Sequence, residues 1–414
     1  MRTKFILNPA VEASAPRSGE RQPLDRLGAL SLSNGQADSA STAKFRFISV
    51  QLRCLLAWLL LAPLAGGAGA AQVTLGLVAP PSEPDATSLL RGVQLAVADA
   101  NEAGGSQVRL EVRSENGQWG TVGNDAVILV SEHHVGAIIS PSDGAASHLI
   151  LQVSGRTRVP VASLCSDSSV TDAGVPWVVR VVPRTDQEAE ALFAAARRPD
   201  RSPLHWWAVV PAGRPGRAVR RDLETAAHVT ATPLDQIVDD GEPKPDLASL
   251  VHSIVAAAPD GVLIWLPPSR AGTVAAALRA AGYGGRLAGP TPLDSPAFVA
   301  AASTAATGFL VTRFRTGADL RVRADRFEKQ YQRKYDAKPD FSAAAAYDAA
   351  RVLIETLRRA GNSDGDRQFP LAFPIEGVTG VLHFDTSGNR TDALQVLTWQ
   401  QGCFIPISPN DTKP

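Results

Sequence analysis

The sequence predicts an α/β protein made of two domains, each a parallel sheet flanked by helices. Three observations carry that expectation. From Gln72 onward, β-rich apolar runs alternate with segments of helical periodicity. The joins between them are short and rich in Gly and Pro. The alternation persists for about 340 residues, more than one hydrophobic core usually serves.

The elements follow in order. "QVTLGLVA" is a β-rich run, and "LLRGVQLAVADANEAGG" sets Leu89, Val93, Ala96 and Ala100 on one helical face before the helix-stopping pair Gly104-Gly105. "VRLEVR" alternates Val108, Leu110 and Val112 with Arg109, Glu111 and Arg113, the pattern of an edge strand with one wet face. A helix over 123–132, a strand at Val135, a helix from Ala145, a strand at Val159 and the strand "WVVRVV" continue the series. After Pro183 a second series begins: helix 185–196, strand "LHWWAVV", helices 214–225 and 246–258, strand "GVLIWL", helix 271–281 and strand "RLAG". Of the adjacent Trp206 and Trp207, at least one belongs to a core. The tail changes grammar. Two helices in succession, "RADRFEKQYQRKYDAKP" and "FSAAAAYDAARVLIETLRRAG", precede "GVTGVLHFDTSGNRTDALQVLTWQQG", which reads as a β-hairpin around a turn rich in Asp, Ser, Gly and Asn.

Two apolar runs, 135–139 and 159–162, end in small polar residues: Ser140, Ser142 and Asp143 after the first, then Ser163, Ser166 and Asp167 after the second. In parallel α/β sheets ligands sit beyond the carboxyl ends of strands, where helix N-termini offer N–H groups, so clusters at two such ends face one crevice. Each cluster alone reads equally as helix capping, since Ser and Asp are preferred N-caps. At a cleft the two readings merge.

Composition sets limits. Of 414 residues, 44% are hydrophobic and 20% charged, as in a globular protein. The first 70 residues hold 8 basic and 4 acidic side chains, leaving 33 and 37 in the remainder, with no electrostatic footprint for nucleic acid. Within 44–70, Arg46 and Arg53 precede the apolar run Leu55 to Leu64 and the small residues Ala68-Gly69-Ala70, the order of a secretory signal peptide. The run is shorter than the ~20 residues of a spanning helix. Cys54 precedes the run, so no lipid anchor is expected. Residues 1–43 carry no sustained apolar period and are expected outside any folded domain. Met1 is the only methionine, which suggests a start further in, at Val50 or Leu52. Export would leave Cys165 and Cys403, either paired or each buried alone as a small hydrophobe.

Four segments, "LLRGVQLAVADANEAGG", "VGAIISP" with "VPVASLCSDSSVT", "AAAAYDAARVLIETLRRAG" and "GVTGVLHFDTSGN", resemble in order and spacing the leucine/isoleucine/valine-type (type I) periplasmic substrate-binding proteins of ABC transporters. The resemblance runs from Val73 to about Pro406. It implies a type I periplasmic-binding-protein fold with two lobes and three hinge crossings. Lobe one is expected at 72–184 plus 317–374, lobe two at 185–316 plus 375–406, with 407–414 as a tail. It further implies a monomeric periplasmic receptor that traps a small polar ligand, an amino acid, amide or related metabolite, and delivers it to an ABC permease. The same closed form would serve a sensor that signals to a membrane receptor. No cofactor, metal or catalytic residue is implied.

In amino-acid-binding relatives, hydroxyls after two lobe-one strands fix the ligand, and a Tyr and an acidic residue from lobe two complete the site. Counting loops back from Pro160 puts the first hydroxyl position at Gly144, beside Ser142 and Asp143. The second falls at Asp167, in the loop with Ser163, Cys165 and Ser166. The lobe-two aromatic position holds Pro267 or Pro268, the acidic position holds Thr291, and a further aromatic is replaced by Arg214 or Pro215. The scaffold is kept while the α-amino-acid clamp is not. Carboxylates at 143 and 167 in a closed crevice need a cation or strong donors. A basic or amide-bearing ligand, helix N–H groups or Arg184 would serve. Trp265, at the end of its strand, either stacks on a ligand or fills a core.

Other chemistry has weaker support. "DTSGNRTD" lacks the spacing and terminal Glu of a calcium loop. Adjacent His133 and His134 do not share a helix face. Cys165 as a nucleophile needs a base, and no His is placed beside it by the sequence. Neither a phosphate loop nor a GxSxG elbow is present. A transcription-factor relative is disfavoured by the export signal and by the lack of a helix-turn-helix before residue 72.

Overall fold

The computed structural model describes residues 72–79, 85–114, 121–198, 200, 202–241, 246–315, 318–360 and 374–407, all within the compact unit Gly67–Pro414. The expected extension, signal peptide and all of the tail after Ile407 lie outside these residues.

The chain begins with five parallel strands, β1 (Gln72–Ala79), β2 (Gln107–Ser114), β3 (Ala137–Ser140), β4 (Val161–Ser163) and β5 (Val178–Arg180), in the order β2-β1-β3-β4-β5. Between them lie α1 (Asp85–Glu102), α2 (Thr121–Ser131), α3 (Gly144–Thr157) and α4 (Ser169–Asp172). Alternate side chains of each strand enter opposite cores: Leu77 and Ile139 face α1, while Val78, Ile138 and Val161 face α2 and α3. Burial on both faces is why β3 and β4 read as unbroken apolar runs. As expected, β2 is the edge, with Val108 buried and Val112 exposed.

The second lobe follows: α5 (Thr185–Ala195), β6 (Trp206–Val210), α6 (Gly213–Val229), β7 (Leu234–Asp239), α7 (Leu247–Ala257), β8 (Gly261–Ile264), α8 (Pro268–Ala280), β9 (Arg286–Gly289), α9 (Pro296–Ala302) and β10 (Leu310–Phe314). Trp206 is the core tryptophan, edge-on to Phe193 at 5.7 Å. The edge strand β7 escaped the sequence reading because "LDQIVD" is only half buried and lacks a clean alternation.

The chain then returns to lobe one. Helices α10 (Ala318–Tyr335) and α11 (Phe341–Ala360) pack there, and Ala343, Ala346 and Ala350 of α11 lie in the same core as Leu89 and Val93 of α1. Gly92 of α1 sits so close to the Ala343 carbonyl that no Cβ fits between them. The short hairpin β11 (Ile375–Glu376) and β12 (Val381–Leu382) follows. It was expected with lobe two, but Ile375, Val378, Leu382 and Phe384 pack in the lobe-one core. The reason is Asp348 on α11, which is fully buried and accepts from Val378 N (2.7 Å), Thr379 N (2.9 Å) and Thr379 Oγ1 (2.6 Å).

The expected long hairpin is also corrected. The Asp385 carboxylate accepts from Ser387 and Asn389 N–H groups to form the turn, but the chain then crosses lobes. Strand β13 (Leu394–Gln400) pairs antiparallel with β10 and with β14 (Cys403–Pro406), giving the second sheet the order β14-β13-β10-β9-β8-β6-β7.

The chain thus crosses between lobes at 181–184, after Phe314, and at 391–393. One side chain touches all three crossings. Buried Arg390 donates through Nη1 to Val181 O (3.1 Å) and Thr379 Oγ1 (2.7 Å), pairs through Nε with Asp392, and lies 3.6 Å from the centroid of the Phe314 ring. Beside it, fully buried Arg180 donates to the Cys165 carbonyl, to Ser168 O (3.2 Å), to Thr171 Oγ1 (2.8 Å) and to Asn389 Oδ1 (3.3 Å). Among the described residues no helix is long and apolar enough to cross a membrane.

Replacing Arg390 by Met would strand Asp392 and the Val181 carbonyl. Equilibrium urea unfolding is expected to show a loss of about 3 kcal/mol. An unchanged midpoint would remove Arg390 from the hinge.

Candidate functional site: the cleft between the lobes

Strand order reverses between β1 and β3 in the first sheet and between β6 and β8 in the second, and cleft sites form at such reversals. The loops after β3 and β4 and the first turns of α6 enclose a cavity of about 520 Å³. Ser142, Asp143 and Gly144 line it from β3, Cys165, Ser166 and Asp167 from β4, and Arg214 from lobe two. The sequence reading had named these seven; it missed Arg217 and Arg221 on the same wall. Their signal was legible, since 214, 217 and 221 fall on one face of a helix.

The other named residues lie elsewhere. Ser163 is fully buried at the end of β4, its Oγ accepting from Cys165 N at 3.2 Å. Trp265 packs in a lobe-two core and is the core tryptophan of the two readings. Pro267 is exposed at the start of α8, outside the cavity lining. Thr291 is buried and donates both N–H (2.7 Å) and Oγ1 (2.6 Å) to Glu188 of α5.

The two cleft carboxylates already have donors within the protein. Asp143 caps α3, accepting from Ala146 N at 2.7 Å. Asp167 accepts from Ser169 N (3.0 Å), Ser169 Oγ (2.7 Å) and Arg221 Nη2 (2.6 Å). Desolvation pushes the Asp167 carboxyl up, but these hydrogen bonds outweigh it and hold the group below the usual carboxylate range. Gly144 makes room for this arrangement, because a Cβ there would lie 2.7 Å from Asp167 Oδ2. Arg184, expected as a partner for Asp167, instead pairs with Asp186 at 2.7 Å and Asp172 at 3.4 Å. Asp167 is therefore neutralised within the protein by Arg221, while Asp143 is exposed and bonded through its cap.

Asp167 also belongs to a bridge between lobes. Asp222 of α6, 1% exposed, accepts from Ser168 N (3.0 Å), Ser168 Oγ (2.6 Å) and Arg221 Nη2 (2.8 Å). Two consecutive residues from each lobe are thus joined, with Arg221 shared by both carboxylates.

Burial pushes the Cys165 thiol up to about 12 despite nearby Arg180, so it stays protonated at neutral pH. Both Cys165 and Cys403 are free, one buried and one exposed. Beneath the cleft, Glu188 is buried and accepts from Thr291 and Thr312 hydroxyls, each at 2.6 Å, with no ion-pair partner among the described residues. Desolvation raises its pKa.

Two outcomes are expected. A double-mutant cycle of Ser168→Ala and Asp222→Ala should give a coupling of about 1–3 kcal/mol; additive effects would deny the cross-lobe bond from the Ser168 hydroxyl. A raised acid contributes stability that is complete below its ordinary value of 4.5 and lost as pH rises through the elevated value. Wild type should therefore lose stability relative to Glu188→Gln as pH rises above 4.5, read by urea unfolding. Parallel curves would contradict the burial argument.

A profile of the periplasmic binding protein family matches residues 72–390. No curated protein sequence matches the chain. Among solved structures, the leucine-binding protein LivK of Thermotoga maritima is 18% identical, with a TM-score of 0.69 over 82% of this chain and 99% of that one. LivJ of Streptococcus pneumoniae, a branched-chain amino acid transporter substrate-binding protein in complex with isoleucine, is 17% identical over 80% and 97%, at 0.67. A solute-binding protein of an ABC transporter from R. palustris, in complex with benzoate, is 16% identical over 81% and 96%, at 0.70. These likenesses establish the two-lobed type I fold. With the profile spanning most of its length, this chain belongs to the periplasmic binding protein family.

Proposed function

We propose that the chain is an exported solute-binding protein of the periplasm that traps a small polar ligand, an amino acid, amide or related metabolite, between its lobes and delivers it to an ABC permease. The observation that carries this reading is the cavity of about 520 Å³ whose walls come from both lobes. A ligand touching both walls favours the closed state by its differential affinity for it, and closure needs no catalytic residue. Ser142, Gly144, Ser166 and Arg214 are the proposed contacts, with Asp143, Cys165 and Asp167 shaping the wall. The protonated thiol of Cys165 is a poor nucleophile, which favours binding over catalysis. The complexes of relatives with isoleucine and with benzoate support a small organic ligand.

Thermal-shift screening of amino acids, amides, urea, polyamines and short organic acids tests the proposal. A true ligand at 100 times its Kd should add about 2.7 kcal/mol of stability and raise Tm. Chemical turnover of the bound compound would contradict it.

A further inference from the structure

We infer that the ligand of this cleft is a small anion, a carboxylate or phosphate without a cationic group, held by Arg217 and Arg214 against hydroxyls of lobe one. This narrows the receptor reading above and rests on it.

The carboxylates that would recognise an ammonium already accept hydrogen bonds within the protein. The Asp143 carboxylate caps α3, and Asp167 is held by Ser169 and Arg221. Thr291 turns inward to Glu188, which is buried with it. An ammonium entering the cleft would meet three arginines on one wall, and on the other only carboxylates that already serve as a helix cap and as the partner of Arg221.

The opposite wall suits an anion. Arg214, Arg217 and Arg221 line the cavity from one helix, α6, and their spacing puts them on a single stripe. Arg221 is neutralised by Asp167 and Asp222. Arg217 has no ion-pair partner among the described residues, and it stands in the first turns of the helix, where the helix dipole adds positive potential. Across the cleft, Ser166 Oγ accepts from Thr185 Oγ1 at 3.2 Å and so keeps its own proton to donate. Ser142 adds an exposed hydroxyl to the lining. An anion between Arg217 and these hydroxyls would be bonded from both lobes at once, which closure requires.

Isothermal titration calorimetry of the purified full chain with succinate, benzoate, inorganic phosphate, leucine, putrescine and urea tests the inference. Saturable binding of at least one of the three anions is expected, stronger than any binding of the other three. Which anion binds separates carboxylate from phosphate. Arg217→Gln should weaken it about tenfold, Arg217→Lys should recover most of the loss, and added salt should weaken it further. Binding of leucine, putrescine or urea in preference to the anions would overturn the inference and leave the receptor reading intact. Anion binding indifferent to Arg217→Gln would overturn it too, and silence across all six probes would count against both.

Discussion

Everything the cleft does depends on the buried guanidinium of Arg390 and the contacts it makes at the hinge. Three stretches of chain pass between the lobes, and each would otherwise be an independent flexible tether. Arg390 holds the first through the Val181 carbonyl, the second through the Phe314 ring and the third through its own backbone, with Asp392 balancing its charge. Arg180 adds a second buried cation, bonded to backbone carbonyls of the β4–α4 loop and to Asn389. Desolvating two cations is costly, and the cost is offset only while every one of these acceptors stays in place. These contacts tie the three crossings to one another at the hinge.

That restraint gives meaning to the polar strand ends. The loop after β4 leaves the hinge at Cys165, whose carbonyl Arg180 holds, and reaches the cleft at Asp167 and the lobe-two helix at Ser168. Four residues, 165–168, thus carry the hinge, a cavity wall and a cross-lobe bridge. A ligand pulling on this wall acts on a loop already fixed at its base.

The fold was legible because its signals are local. Apolar runs closed by Gly and Pro, and helical stripes such as Leu89, Val93 and Ala96, survive in sequence whatever their neighbours. The tail misled because β12 and β13 look like hairpin mates, while their partners are set by distant groups: Asp348 fixes Val378 and Thr379 to α11, and β10 offers β13 an open edge. The site followed the same rule. Polar clusters after β3 and β4 were visible at the right strand ends. The arginine stripe of α6 was legible too, but the pairing of Asp167 with Arg221 was not, for the two lie 54 residues apart on different lobes. The loops after β8 and β9 were read as cleft walls, but Trp265 and Thr291 turn into the core, and loop direction is not written in residue type.

Two rigid bodies on a pinned hinge, bridged at Ser168 and Asp222, can be measured by spin-label distances in a Cys403→Ser background. Labels at exposed Val322 of lobe one and Val229 of lobe two report on the gap; labels at Val127 and Val322 report on lobe one alone. Removing the bridge with Asp222→Ala should lengthen the first distance and leave the second unchanged. An unchanged interlobe distance, or an equal change within lobe one, would contradict the hinge.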